Sequence, residues 1–122
     1  MNEDRLELSV ETLPGKIGLV AARGYINNEG GQAIADAVDR LVEGGSTTLL
    51  VDLEGTRIIN SIGVSILLEI LEKLMERKGR LAFCNLSPTI AKTFEIMGLS
   101  QYASIYADRA SALAGLAGHA AT

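Results

Sequence analysis

Apolar and polar residues alternate from Leu6 to Leu13, the period-two pattern of a half-buried strand. Pro14-Gly15 is a turn dipeptide, and Lys16 to Ala22 reads as the returning strand of a hairpin, with Arg23 to Ile26 leading out to a loop. The pattern then changes period. Ile34, Ala37, Val38, Leu41 and Val42 recur at helical spacing, with Asn27 or Asn28 as cap and Gly44-Gly45 as stop. Thr47 to Leu53 is a β-branched and apolar run with little alternation, as expected of a strand covered on both faces, and a short polar turn should follow it.

A second helix is expected from about Ser61 to Lys78, closed by Gly79. At about 100° per residue, Ile66, Leu67, Ile70, Leu71 and Leu74 share a core face, and Ser65, Glu69, Glu72, Lys73 and Glu76 a polar stripe. Ser61 lies at the edge of that stripe. Ile62 projects away from the buried centre, and Leu68 and Met75 lie on the flank on Ser61's side, as peripheral core or as the apolar rim of a docking surface. Arg80 to Cys84 is a short apolar strand. Ser87-Pro88 starts a third helix whose apolar face is Ile90, Ala91, Phe94 and Met97, and Gly98 stops it. Tyr102 to Tyr106 alternates as an edge strand. Asp108 caps a last helix to about Leu116, and residues 117–122 are expected to form a disordered tail.

The order β-β-α-β-α-β-α-β-α implies an α/β fold with right-handed crossovers, a mixed, mainly parallel sheet, an antiparallel edge hairpin and four helices. At 122 residues the chain, 1–122, is a single domain with its core over about 6–116. Composition narrows the chemistry. The net charge of −4, without a cluster of Lys and Arg, argues against direct nucleic-acid binding. No apolar run approaches the roughly 20 residues that span a bilayer, and the polar N-terminus has no signal-peptide pattern, which points to the cytoplasm. The single cysteine, Cys84, fits a reducing compartment. The one histidine, His119, lies in the Ala/Gly tail, so neither a zinc site nor a His-based catalytic set is expected. Phosphate-loop, GxGxxG and GxSxG patterns are missing as well. No catalytic residue, metal or cofactor is therefore assigned, and the chain is expected not to be an enzyme.

The segment Asp52-Leu53…Ile59-Asn60-Ser61-Ile62-Gly63, on this order of elements, resembles the STAS domain family and within it the anti-sigma factor antagonists. Gly24, Gly79-Arg80-Leu81 and Ser87-Pro88…Phe94…Gly98-Leu99 match further family cues, and the resemblance covers roughly Leu6 to Leu116. It implies a bacterial partner-switching protein in signal transduction and transcription regulation. The unphosphorylated form would bind an anti-sigma factor that is also a serine kinase and release the sigma factor. Phosphorylation at Ser61 would switch binding off, and a serine phosphatase would reset it. Asn60 stands where many members have aspartate, and Ile62 where a second hydroxyl residue is common.

The residue chemistry fits a switch at Ser61. A phosphate adds about −1.5 to −2 charge, which a helix N-terminus accepts and an apolar contact surface repels. Asn60, Ile62, Gly63, Leu68 and Met75 are the expected partner-binding residues, Gly63 by allowing close approach to the backbone. On physics alone serine is foremost a helix cap. The alternative is thus a non-phosphorylated STAS scaffold, or a subunit of a lipid or anion transport complex, in which Ser61 only caps the helix. A small nucleotide-binding protein using the carboxyl edge of the sheet is a third reading.

Overall fold

The computed structural model describes residues 6–120. Its elements are β1 (Glu7–Leu13), β2 (Ile17–Ile26), α1 (Asn28–Glu43), β3 (Thr48–Ile59), α2 (Ser61–Glu76), β4 (Arg80–Cys84), α3 (Pro88–Ile96), a 3-10 turn (Leu99–Gln101), β5 (Ser104–Tyr106) and α4 (Arg109–Ala120). The strands form one sheet in chain order, β1 to β5. β1 and β2 are antiparallel and every later pair is parallel. This is the expected α/β architecture.

Strand parity divides the core in two. Val20, Leu49, Val51, Leu53, Leu81 and Phe83 face the layer of α1, α2 and α3, where Ile34, Leu41, Leu67, Leu71, Ile90 and Phe94 meet them. Phe83 and Phe94 pack edge to face with ring centroids 4.9 Å apart, a geometry worth about 0.5–1.5 kcal/mol beyond area burial. On the other face Ile17, Leu19, Leu50, Ala82 and Cys84 are covered by Ala112 and Leu116 of α4. Three helices therefore cover one face and a single alanine-rich helix the other.

Several boundaries differ from expectation, each for a local reason. β3 does not turn after Leu53 but continues to Ile59 beside an equally extended β2, pairing Arg23 with Gly55 and Ile26 with Ile59. Polar residues are tolerated there because β4 ends opposite Asp52, leaving a two-stranded ribbon. Two register shifts let this ribbon bend. β1 is more exposed than a half-buried strand, since only Leu8 and Leu13 pack against the cores.

The C-terminal stop of α2 is built by Lys78, in the left-handed region at φ 60°, and not by Gly79. Gly79 serves close packing instead: a Cβ there would lie 2.8 Å from the Thr47 carbonyl oxygen. Met97 caps the end of α3 and is exposed, so the buried face of that helix shrinks to Ile90 and Phe94, and Gly98 makes the left-handed stop. β5 begins at Ser104, two residues later than expected, because Tyr102 closes the 3-10 turn. α4 runs to Ala120, past the expected end near Leu116; the remainder of the expected tail, residues 121–122, lies outside the described residues.

Candidate functional site

The β2–β3 ribbon carries the chain to the start of α2, where the Asn60 N–H donates to the Ile26 carbonyl at 3.1 Å. Asn60, in extended conformation, is the N-cap. Its Oδ1 accepts from the Gly63 N–H at 2.8 Å, and its carbonyl accepts from Val64 at 3.0 Å. The capping role expected of Ser61 in the scaffold reading is thus filled by its neighbour.

Ser61 is the first residue of the helix and is exposed. Its carbonyl accepts the Ser65 hydroxyl at 3.0 Å, while its own hydroxyl makes no hydrogen bond among the described residues. The first turn of α2 holds no acidic residue. The unpartnered N–H groups and positive dipole end therefore face no opposing side-chain charge from their own turn. Such a position can take up negative charge without loss of an existing bond.

The apolar residues around this hydroxyl sort into exposed and buried. Ile62 is 52% exposed and Met75 51%, but Leu68 is half-buried against the main core. Met75 lies 14 residues from Ser61, about 21 Å along the helix, so it marks the far end of the stripe. Gly63 is buried. A Cβ there would overlap the Ile26 carbonyl oxygen and sit 2.9 Å from Ile26 Cγ2, so its small size serves the seating of α2 on β2. Sequence reasoning missed Ile58, which is 58% exposed and three residues before Ser61. Its signal was an isoleucine in a segment read as a polar turn.

A second constellation was also missed as a unit. Asp52 is buried where β4 ends, and its Oδ1 accepts from Asn85 Nδ2 at 3.0 Å and from the Glu54 N–H at 3.0 Å. Its Oδ2 accepts from Arg109 Nε at 3.0 Å and Nη2 at 2.8 Å. Burial pushes the Asp52 carboxyl up, but the hydrogen bonds from Asn85, Glu54 and Arg109, with the guanidinium charge, outweigh it and hold the carboxyl below its ordinary value. Each carboxylate oxygen thus has two donors, and the group ties the middle of β3 and the end of β4 to the start of α4. The sequence signal was an aspartate interrupting an otherwise apolar central strand.

Among the described residues, no helix is long and apolar enough to cross a membrane. The family model of the STAS domain matches residues 8–112. A protein named as a candidate anti-sigma factor antagonist, BtrV of Bordetella bronchiseptica, is 24% identical over 93 residues, covering 76% of this chain and 79% of that protein. The crystal structure of an anti-sigma factor antagonist from Mycobacterium paratuberculosis superposes with a TM-score of 0.80 at 24% identity, covering 93% of this chain and 96% of that one. The anti-sigma factor antagonist SpoIIAA in its unphosphorylated form gives 0.72 at 18% identity, covering 91% and 97%. Its phosphorylated form, from Bacillus, gives 0.65 at 22%, covering 82% and 91%. With the match running from β1 into α4, this chain belongs to the STAS domain family.

Proposed function

We propose that this STAS domain is an anti-sigma factor antagonist that switches partners through Ser61. The observation that carries the reading is the division of labour at the start of α2. Asn60 caps the helix, so the exposed Ser61 hydroxyl is left free at the positive end of the dipole. The relatives' names support the antagonist role, and the existence of SpoIIAA in unphosphorylated and phosphorylated forms supports a phosphate switch on this fold.

In this reading the unphosphorylated chain docks on an anti-sigma factor that is also a serine kinase, with the exposed Ile62 next to the acceptor serine and the exposed Ile58 three residues before it. The kinase transfers the ATP γ-phosphoryl group to Ser61 Oγ. The added charge lies next to the exposed Ile62, where contact would desolvate it, and the complex dissociates. A serine phosphatase restores the hydroxyl. The chain acts in the cytoplasm as substrate and binding module, not as catalyst, and does not touch nucleic acid itself.

Incubation with the cognate kinase and ATP should place one phosphate on Ser61 by mass spectrometry. Ser61→Ala should retain kinase binding and block release, and Ser61→Asp should weaken binding. If Ser61→Asp leaves partner affinity unchanged, the constitutive scaffold reading replaces this one.

A further inference from the structure

From Ile96 to Ala107 the chain carries no charged residue, although 21% of the whole sequence is charged. This run builds one corner of the molecule, because the 3-10 turn packs against both α3 and β5. It also holds four of the large apolar side chains that remain exposed: Ile96 at 71%, Tyr102 at 66%, Met97 and Ile105. β5 is the last strand of the sheet, and no described strand lies on its outer side.

Edge strands are normally blunted by charge, proline or a bulge. The opposite edge follows that rule: β1 presents Glu7 and Glu11 and runs into Pro14. β5 carries none of these three and is limited only by its length of three residues; its pairing with β4 is regular from Ala82–Ser104 to Cys84–Tyr106.

We propose that this corner is a self-association surface on which a second copy of the chain pairs β5 with β5 antiparallel about a two-fold axis. Charge argues for that occupant. Two molecules of net charge −4 repel over most of their surfaces, and this neutral run is where they can meet without like charges in contact. An isologous contact needs a patch complementary to itself, and an uncharged apolar patch beside an unpaired edge meets that condition. With the axis at Ile105, the two Ile105 side chains face each other and Ser104 of each copy pairs with Tyr106 of the other. Among the described residues Arg80 is the one charged side chain bonded to the strand, Nη2 donating to Ser104 Oγ at 3.2 Å. The two arginines then lie on opposite sides of the axis. The contact joins the two five-stranded sheets into one and leaves the start of α2, on another part of the fold, free.

Three-residue strands and four apolar side chains give an interface at the small end of the specific range, so the expected dissociation constant is on the order of 10–100 µM. Sedimentation equilibrium from about 5 µM to 1 mM should show a monomer–dimer equilibrium for the intact chain. Ile105→Lys and, independently, Ile96→Lys should each weaken it by about tenfold or more. Val10→Lys, on the opposite edge strand, should not change it. Ile96 is largely exposed, so its variant tests the surface even if a lysine on β5 disturbs the strand. The outward amides of β5 should gain hydrogen-exchange protection as concentration rises. A chain that stays monomeric to 1 mM, or dimerises equally well with lysine at 96 and 105, overturns the proposal. Neither result bears on phosphorylation of Ser61.

Discussion

Asn60 and Ser61 are adjacent polar residues with separate tasks, and substitution distinguishes them. Removing the Asn60 side chain frees the Gly63 N–H and should cost about 1 kcal/mol, as cap losses do. Ser61→Ala removes an exposed hydroxyl without a partner and should change stability by no more than about 0.5 kcal/mol. Urea denaturation of the two variants decides this. Equal losses would mean that Ser61 shares the cap. Lys78 offers the opposite kind of change. It holds a left-handed conformation that costs a non-glycine residue about 1–2 kcal/mol, partly offset because glycine loses more chain entropy on folding. Lys78→Gly should therefore raise stability by about 0.5–1 kcal/mol in the same assay. A loss would show that the lysine side chain contributes more than its backbone strain costs.

At the scale of elements, Asp52, in the middle of β3, shows how the end of β4 is secured and how that depends on pH. Its folded-state carboxyl titrates below the ordinary value of 3.8, so its contribution is complete above that pH and disappears as pH falls through the folded value. Asp108, at the N-terminus of α4, is shifted the same way by hydrogen bonds from Ser111. The stability gap between the native chain and Asp52→Asn should be constant from pH 7 to about 5 and close below pH 4. A gap that widens in acid would contradict the sign. This cluster was not legible in the sequence, because Asp52, Asn85 and Arg109 are brought together only by the topology. The extension of β3 was hidden for another reason. Hydropathy stops at Leu53, but β2 pairs with Gly55, Thr56, Ile58 and Ile59, and two register shifts erase the side-chain parity that periodicity reads. What was legible is what burial dictates: the starts of the first four strands to within a residue, most of the buried faces of α1 and α2, and the cap at Ser87, with Asn27 one of two adjacent candidates for the first cap. The Asn60-Ser61 pair was visible, but two good capping residues in succession left the choice between them to the backbone.

For the whole molecule, the uneven covering of the sheet predicts uneven stability. The face under α1, α2 and α3 holds most of the large buried side chains, whereas α4 seals its face chiefly with Ala112, Leu113 and Leu116 and one ion pair to Asp52. Helices with so few apolar contacts open sub-globally at lower free energy than the core. Cys84 reports on this opening. It is buried beneath α4, burial pushes its thiol up to about 12, and it is the only cysteine in the chain. In the closed state it is neither accessible nor ionised, so a thiol reagent can modify it only after α4 lifts or the domain unfolds. Labelling at low denaturant should be nearly independent of urea and then merge with global unfolding at higher concentration. Arg109 is half-exposed, so solvent screening limits its ion pair to about 1–2 kcal/mol. Arg109→Ala should accordingly speed labelling in the urea-independent regime by about tenfold, while labelling by global unfolding rises no more than stability falls. If labelling follows global unfolding at every urea concentration in both proteins, α4 is integral to the cooperative core and the two faces of the sheet are equally secured.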